Sequence, residues 1–472
     1  MSLAIVWFRR DLRLADNPAL AAALADHQRI LPVYLHAPGE EAPWSPGAAS
    51  KWWLHHALAD LNRQLGGRLL LLPAADSVTT LVHLVERSSA AAVYWNRLYE
   101  PAVVARDTRG KQVLRDSGVA ARSFNAALLF EPWEVSNKQG SPFRVFTPFW
   151  KNLQASGVPR QPVVVPDLGG RLIGERAFAR LAGADLEELG LVPAIPWYTG
   201  IARAWQPTRA AAEARLEEFL ASDVRRYAGG RDLPAKDQVS RLSPYLHFGQ
   251  LGPREVTAAC HAAKDPAAEF LREIGWREFA HHLLYHFPNT TDSPMDGRFD
   301  AFPWREDESD LGAWQRGETG IPMVDAGMRQ LWASGWMHNR VRMIAASFLT
   351  KNLLLSWRSG ARWFWDTLVD ADLASNSLGW QWTAGCGADA APYFRVFNPV
   401  LQGEKFDPRG VYVRHWVPQL SRLPDKWVHQ PWAAPAEVLA GAGLSLGANY
   451  PQPLVDLKAS RLRALDAWGR VK

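Results

Sequence analysis

Residues 3–8, with the sequence LAIVWF, form an apolar run of the length of a single strand. A run without polar alternation is typical of a strand that is buried on both faces of a parallel sheet. The next segments with regular spacing are strand candidates at 29–35, 68–72 and 91–95 and helix candidates at 18–25 and 51–65. Strands separated by helices predict βαβ units, so we expect residues 1–130 to form an α/β, Rossmann-like domain with a parallel sheet.

The pattern changes after residue 130. Pro and Gly are frequent between residues 131 and 200, which predicts a long interdomain linker that crosses the surface. Strand alternation then disappears, and helical apolar spacing recurs at 209–227, 253–261, 267–285, 321–334, 339–356 and 361–368. A last helix is expected before Lys472. The sequence therefore predicts an all-α domain over residues 201–472.

The composition limits the class of protein. The 472 residues exceed what one compact core accommodates, and 47% hydrophobic with 21% charged residues is ordinary for a globular protein. These values exclude a disordered chain, a collagen-like repeat and a disulfide scaffold. No apolar run approaches the roughly 20 residues that cross a bilayer, and the first residues lack the order of a signal peptide, so we expect no membrane partner.

Cysteine, charge and tryptophan content say less about function. Cys260 and Cys386 have no CxxC spacing, which argues against a cysteine-based zinc site and suits a reducing cytoplasm. Because the formal net charge is only +5, a nucleic-acid surface would have to arise from folding and not from bulk composition. The 23 tryptophans are the anomaly. Tryptophan serves for bulk, for stacking or for redox chemistry, and composition does not distinguish these.

Two serines, Ser240 and Ser243, flank Arg241. Hydroxyl side chains with free backbone N–H groups beside a helix start can hold a phosphate. The alternative is a simple cap before the helix predicted to begin at Pro253.

A second candidate cluster lies on one predicted helix. Glu273, Trp276 and Arg277 stand at i, i+3 and i+4, which places a carboxylate, an indole and a guanidinium on one face. An amphipathic helix with a surface ion pair would show the same pattern.

Farther along, Asn339 and Met343 share a helix face, Trp336 lies one turn earlier, and Arg340 points elsewhere. A basic cluster next to aromatic residues can follow a phosphate backbone while bases stack. The alternative is a helix end that packs Trp336 and exposes Arg340.

Asp370 and Asp372 precede a Trp-x-Trp pair, Trp380 and Trp382. Two carboxylates are too few for an oxygen-ligated metal site, so we expect no metal; they can hold ribose hydroxyls or pair with an arginine. In a helix the two indoles point in nearly opposite directions, which indicates two tasks or burial on both sides. The sequence has no P-loop, GxGxxG, HExxH or nucleophile elbow, so kinase-like, NAD-dependent and hydrolase functions lack their usual support.

Taken together, these stretches resemble the DNA photolyase and cryptochrome family. The matching motifs, in order, are 6–18 (VWFRRDLRLADNP), 241–245 (RLSPY), 276–279 (WREF), 335–343 (GWMHNRVRM), 379–382 (GWQW), 389–395 (DAAPYFR) and 397–399 (FNP). The match extends from about residue 3 to about residue 435. It implies an α/β antenna domain, a long linker and a helical domain that binds U-shaped FAD and DNA.

The resemblance implies a set of FAD-binding residues: Tyr227, Val239, Ser240, Arg241, Leu242, Ser243, Arg277, Asn339, Arg342, Asp370, Ala371, Asp372 and Asn376. Arg342 and Asp370 would form an ion pair beside the isoalloxazine, and Asn376 would face flavin N5. Val239 stands where many members have Thr and offers no hydroxyl.

The family also implies a pocket for a flipped pyrimidine dimer, formed by Glu273, Trp276, Arg277, Asn339, Arg340, Met343 and Trp382. Flat indoles suit a flipped base, and photolyases are among the enzymes known to flip bases. The implied catalytic residues are Glu273, Asn339, Met343 and Asn376. Trp304, Trp357 and Trp380 match the positions of the family's electron relay, so Trp380 would serve the relay and Trp382 the substrate.

Two features bear on the subtype. Six-four photolyases have a proton-donating His where this sequence has Met343, so a photolyase for cyclobutane dimers, of bacterial class I or class III, is favoured. No carboxylate follows Tyr99-Glu100 in the way that the usual folate mode requires. The segments 40–44 and 392–407 look closer to class III. A possible antenna chromophore is 5,10-methenyltetrahydrofolate or a flavin or deazaflavin.

Three functions are therefore weighed. The first is a light-dependent lyase that repairs DNA containing cyclobutane pyrimidine dimers, expected to be a cytoplasmic monomer. The alternative is a cryptochrome-type blue-light photoreceptor, against which the retained dimer-pocket residues and the lack of a tail after Lys472 argue. The third is a DNA-binding flavoprotein without photochemistry, against which the complete relay argues.

Overall fold

The first strand lies at the centre of the sheet, as its apolar run predicts. The computed structural model describes residues 2–157, 161–263, 267–390 and 394–471. Along β1 (Leu3–Phe8), Ala4 and Val6 enter one core, whereas Ile5 and Trp7 enter the core on the opposite face. Because both faces are covered by protein, the strand has no polar alternation.

The described residues form one five-stranded parallel sheet in the order β3-β2-β1-β4-β5. Its other strands are β2 (Arg29–His36), β3 (Leu70–Pro73), β4 (Ala92–Asn96) and β5 (Ala120–Phe124). The α/β domain and its four predicted strands are confirmed. The edge strand β5 was not predicted, because Ala-Ala-Arg-Ser-Phe has little apolar signal.

Helices connect the strands and cover both faces of the sheet. They are α1 (Pro18–Asp26), α2 (Ala48–Gln64), α3 (Ser77–Ser88) and α4 (Pro101–Asp116). Helix α1 begins where its sequence dictates, because the Asn17 side chain accepts a hydrogen bond from the Leu20 N–H and Pro18 occupies the first turn.

The segment predicted as a linker, residues 131–200, is more buried than its Pro and Gly content predicts. It contains α5 (Phe146–Ala155), α6 (Glu175–Ala179) and α7 (Thr199–Ala204). Phe146, Phe149 and Leu153 of α5 are buried, and Ile173 N–H donates to the carbonyl of Ile30 in β2. The aromatic residues Phe146 and Phe149 thus pack α5 against the rest of the protein, although the composition of residues 131–200 is typical of an exposed loop.

The remaining elements of the described chain are helical, which confirms the predicted all-α region. They are α8 (Arg209–Glu218), α9 (Tyr227–Gly230), α10 (Ser243–His247), α11 (Pro253–Ala262), α12 (Ala268–His286), α13 (Glu308–Arg316), α14 (Pro322–Ser334), α15 (Asn339–Ser347), α16 (Trp357–Thr367), α17 (Leu373–Ala384), α18 (Pro399–Phe406), α19 (Val411–Trp416), α20 (Ala436–Ala442) and α21 (Leu457–Gly469).

Two predicted helices are interrupted. The stretch 209–227 is broken by a π-turn at Phe219–Asp223, and 339–356 passes into a π-turn at Phe348–Asn352 before Leu354 takes a left-handed backbone conformation (φ +55°). Residues 391–393 of the DAAPYFR motif and Lys472 lie outside the described residues. No helix within the described ranges is long and apolar enough to span a bilayer.

Candidate active site

Helices α12, α15, α16 and α17 surround two adjoining hollows in the helical region. Their open volumes are about 1090 and 620 Å³. Both hollows are lined by Asn339, Arg342, Asp370, Asp372 and Ser375, so they form one continuous cleft. Every residue that the resemblance assigns to FAD lines one of the two. Residues that lie as far apart in sequence as Tyr227 and Asn376 are therefore gathered around a single cleft.

The loop before α10 forms one end of the cleft. Arg241 has a left-handed backbone (φ +51°), and the Arg215 guanidinium donates to the carbonyls of Val239 (2.9 Å) and Ser240 (3.0 Å), which fixes the loop. Burial lowers the pKa of Arg241. Since α11 is capped by Gly252 and not by this loop, the interpretation of the serines as a cap before Pro253 is wrong.

The middle of the cleft holds the ion pair that the resemblance implies. The Arg342 guanidinium lies 3.1 and 2.9 Å from the two carboxylate oxygens of Asp370, and its Nε donates to the Met337 carbonyl (2.7 Å). Asp370 also accepts a 2.6 Å hydrogen bond from the Ser243 hydroxyl. One carboxylate therefore joins the loop at residues 239–243 to helix α15.

Asp372 is a buried carboxylate at the start of α17. Its Oδ1 accepts from the Ser375 N–H (2.9 Å), while Oδ2 lies 3.4 Å from His247 Nδ1 and 3.6 Å from His281 Nε2. Burial opposes its ionisation, but the attraction of His281 and the hydrogen bond with His247 outweigh burial and hold the pKa of Asp372 well below its usual range. The cleft thus presents a second fixed negative charge.

Asn376 and the pair on α15 line the smaller hollow. The Asn376 amide donates from Nδ2 to the Ala361 carbonyl (3.1 Å), which fixes its orientation. Asn339 and Met343 lie on the same face of α15, as their spacing predicts, and both line this hollow together with Trp380.

Most of the residues expected to contact the dimer are held by partners outside the cleft, but Glu273 is an exception, because its partner Arg231 also lines the larger hollow. Glu273 lines the larger hollow and forms an ion pair with Arg231. Glu273 therefore does not pair with Arg277 on the same helix. The Arg277 guanidinium donates instead to the Ala127 carbonyl (2.6 Å). Arg340 pairs with Asp232 at 2.8 Å, which places it beside a neighbouring groove and confirms that it points away from Asn339.

Trp276 and Trp382 flank the cleft but line neither hollow. The Trp276 ring stacks on Phe146, and the Trp382 indole donates to the Asp389 carbonyl (3.0 Å). Asp389 begins the 389–395 motif, whereas no motif marks Phe146 or Arg231 as a neighbour of this site. The aromatic spacing of α5 is the signal by which Phe146 could have been found.

Of the three tryptophans that match the relay positions, Trp380 alone lines the cleft. Trp380 lines the smaller hollow and packs so closely on Gly360 that a Cβ there would lie 2.1 Å from its ring. Buried Trp357 begins the helix α16 that contains Gly360. Half-buried Trp304 precedes Arg305, whose N–H donates to Leu354 O (2.8 Å), three residues before Trp357. The Trp-x-Trp pair has different neighbours on its two sides, as predicted.

Another hollow, of about 680 Å³, lies between the sheet domain and the helices. Trp7, Tyr34, Arg10 and Arg106 line its sheet side. Two of its helical lining residues reach the cleft as well, because His247 also lines the larger hollow and Ala371 the smaller one. In the described residues, no group of three or more His, Cys, Asp or Glu side chains has the arrangement of a metal site.

Comparison with known proteins finds family matches in the N-terminal and in the C-terminal part of the chain. Residues 4–166 match the family model described as DNA photolyase, and residues 270–470 match the one described as the FAD binding domain of DNA photolyase. The deoxyribodipyrimidine photo-lyase of Agrobacterium fabrum is 47% identical over 477 residues, covering 99% of this chain and 98% of that protein. Cryptochrome-1 of Arabidopsis thaliana is 41% identical over 486 residues, covering 99% and 70%. The crystal structure of a bacterial class III photolyase from Agrobacterium tumefaciens superposes with a TM-score of 0.92 at 45% identity, covering 100% of this chain and 98% of that one.

Proposed function

The chain belongs to the DNA photolyase family, and from this premise we propose that it is a deoxyribodipyrimidine photo-lyase that splits cyclobutane pyrimidine dimers in DNA under blue light. The observation that carries the proposal is the 47% identity to a photo-lyase over almost the whole of both chains. The likeness to a solved class III photolyase supports the same class for this chain.

The cleft fits FAD by the chemistry of its lining. Ser240 and Arg241 offer hydroxyl and guanidinium donors to the phosphates, and the Arg342–Asp370 pair, to which the Ser243 hydroxyl already donates, offers a planar, charged edge for a flavin. When bound, reduced FAD supplies the electron that starts the splitting of the two cyclobutane C–C bonds and accepts it back at the end. The hydrogen bond to the Ala361 carbonyl fixes the Asn376 amide in the cleft, which supports its proposed role beside flavin N5.

The chain's own residues bind and orient the dimer. Trp276 and Trp382 offer flat walls to the dimer. The two linked bases of a dimer stack poorly in the duplex, so flipping them out costs little free energy. Glu273 and Asn339 hydrogen-bond to the pyrimidine carbonyl and imide groups, and Met343 fills the apolar side. Arg340, released from Asp232, contacts a DNA phosphate.

Repair of a defined oligonucleotide tests this function. The purified protein with fully reduced FAD should restore the undamaged pyrimidines of an oligonucleotide containing one cyclobutane dimer under blue light and not in darkness. If reduced, FAD-loaded protein leaves the dimer intact under light, the proposal is wrong. A photoreceptor of the cryptochrome type, suggested by the 41% identity to Cryptochrome-1, would show flavin photochemistry without repair.

We also propose that Trp380, Trp357 and Trp304 relay electrons from the surface to the flavin. Trp380 lines the cleft, Trp357 is buried and Trp304 is half-buried, which supports this role. Trp380→Phe should stop photoreduction of oxidised flavin, measured by the loss of the visible absorbance of oxidised flavin under light. The control Trp432→Phe, a half-buried indole away from the cleft, should photoreduce normally. Normal photoreduction in Trp380→Phe would show the relay to be misassigned or bypassed.

The remaining expectations are proposals of the same kind. We propose the antenna domain at residues 1–130, the linker at 131–200, the catalytic domain at 201–472, a monomeric state and a cytoplasmic location; the two unpaired, buried cysteines support a reducing compartment. The aromatic and cationic lining of the hollow between the domains suits an antenna chromophore, either methenyltetrahydrofolate or a flavin or deazaflavin. The absorbance spectrum of chromophore released from purified protein distinguishes them.

A further inference from the structure

The linker helix α5 contacts one of the two proposed walls of the dimer pocket. The Phe146 ring, only 1% exposed, stacks on the Trp276 ring with centroids 3.7 Å apart and planes 8° apart. One turn later, Trp150 packs on Gly275, where an added Cβ would lie 2.4 Å from the indole. Phe146 and Trp150 therefore hold α5 against the part of α12 that carries Trp276.

This stack has a direct consequence for substrate binding. An indole has two faces, and Phe146 covers one face of Trp276. A flipped base can therefore stack only on the other face, and the tilt of that face follows the Phe146 ring. Phe146 in α5 thus fixes which face of the Trp276 ring is open to a base and how that ring is tilted.

The second wall is tied to the same linker segment through Asp389. The Trp382 indole N–H donates to the Asp389 carbonyl (3.0 Å), the Asp389 N–H donates to the Arg144 carbonyl (3.0 Å), and the Phe146 N–H donates to Asp389 Oδ1 (3.4 Å). Asp389 makes these contacts with a left-handed backbone (φ +52°), which is uncommon for a residue other than glycine. A residue holds such a conformation only where its surroundings fix it.

We propose that Phe146 and Asp389 are positioning residues for the dimer pocket, which set the orientation of Trp276 and Trp382 relative to each other from the linker. This inference rests on the proposed function, since the two indoles are walls only if a flipped dimer binds there. Neither residue contacts the dimer. Their effect is on how well the preformed walls fit it, so it appears in dimer affinity and not in the rate of bond splitting.

A pair of matched substitutions in α5 separates positioning from ordinary packing. Phe146→Leu removes the flat ring against Trp276, and we expect the KM for a dimer-containing oligonucleotide to rise about tenfold, since stacking on one base is worth roughly 1–3 kcal/mol, with kcat unchanged. Phe149→Leu is the control: Phe149 is equally buried in the same helix but lies against Phe279 and His282. It should leave KM unchanged, and FAD content should be normal in both variants.

Conservative variants complete the test. Phe146→Tyr keeps a flat ring and should restore the wild-type KM. Asp389→Ala should raise KM in the same way as Phe146→Leu, whereas Asp389→Asn, which keeps a side-chain oxygen and tolerates the left-handed backbone, should not. If Phe146→Leu does not fold, the Asp389 pair gives the answer alone.

The outcomes are distinct from failure of the proposed function. Wild-type protein that repairs no dimer overturns the proposed function and this inference with it. If the wild-type protein repairs dimers, two results overturn this inference alone. One is an equal rise of KM in Phe146→Leu and Phe149→Leu. The other is an unchanged KM in both Phe146→Leu and Asp389→Ala. A lower kcat with unchanged KM would also contradict it, because positioning from behind the walls acts on binding.

Discussion

The two sides of the cleft are held in different ways. On the proposed flavin side, the charged residues bind one another: Arg342 pairs with Asp370, Asp370 accepts from Ser243, and Asp372 caps its own helix. On the proposed dimer side, four residues are held by partners that are assigned neither to the flavin nor to the dimer. The pairs are Glu273 with Arg231, Arg340 with Asp232, Trp276 with Phe146 and Trp382 with Asp389.

This difference in how the residues are held fits the ligand proposed for each side. A cofactor that stays bound benefits from a site whose residues already satisfy one another, because little reorganisation is needed when it binds. A DNA-binding surface has to exchange partners: Glu273 and Arg340 must leave Arg231 and Asp232 before they can contact a base or a phosphate. The aromatic walls, in contrast, keep their supports when the dimer enters.

Breaking the Arg342–Asp370 pair is expected to have the largest effect. Asp370→Ala leaves Arg342 in the cleft without its carboxylate; removal of one partner of a buried pair typically costs about 3–5 kcal/mol, and we expect the low end because the Arg342 side chain is 23% exposed. Urea unfolding should show this loss, and FAD should be released during gel filtration.

A surface pair gives the control for this prediction. Arg316 and Glu318 are joined at 2.7 Å, but their side chains are 63% and 49% exposed. Glu318→Ala should leave both stability and FAD content unchanged, since exposed ion pairs contribute little. Equal effects of the two substitutions would mean that Asp370 is no more important to the cleft than an ordinary surface residue.

The sequence predicted the flavin side better than the dimer side, for a physical reason. The flavin residues lie in motifs whose chemistry is local, such as Ser240 and Ser243 around Arg241 or the Asp370-x-Asp372 pair, so their types and spacing already indicate what they bind. The supports on the dimer side are less visible in the sequence: Phe146 lies in another segment from Trp276, and Asp389 supports Trp382 through a backbone carbonyl, which its residue type does not indicate.

The same reason explains the errors in the fold. Strands buried on both faces, such as β1, carry a strong apolar signal, whereas the edge strand β5 is half-exposed and has none. The π-turn at Phe348–Asn352 follows residues with good helical spacing, and its geometry depends on tertiary packing of buried side chains that include Lys351. The Lys351 amine donates to the Ala384 carbonyl at the end of α17 (2.5 Å), a contact across 33 residues.

The next effect concerns Glu278, which contrasts with Glu273 on the same helix. Glu278 is buried and accepts from the N–H groups of Leu129 and Phe130, at the end of the proposed antenna domain. Burial raises its pKa to about 7, above the ordinary 4.5. A carboxyl whose pKa is raised by folding contributes stability below pH 4.5 and loses it as the pH rises through 7, an amount of about 3 kcal/mol.

Glu278→Gln removes this titration. The free energy of unfolding of the wild-type protein should fall between pH 5 and pH 8 more steeply than that of Glu278→Gln, as measured by urea unfolding at several pH values. Glu269→Gln on the same helix is the control, because Glu269 is exposed. Parallel pH curves for wild type and Glu278→Gln would show that Glu278 is ionised in the folded protein throughout this range.

The smallest effect is expected from Glu273→Ala. This substitution also separates the two sides of the cleft, because it should reduce repair without reducing FAD content. Loss of a hydrogen bond from a charged group costs about 1.5–3 kcal/mol, so repair should fall about 10- to 100-fold. FAD content should stay normal, because Glu273 is held by Arg231 and by no residue of the Arg342–Asp370 network. Glu269→Ala, one turn earlier and exposed, should repair normally. Equal losses of repair and of FAD in Glu273→Ala would place Glu273 among the residues that hold the flavin and would remove the distinction between the two sides.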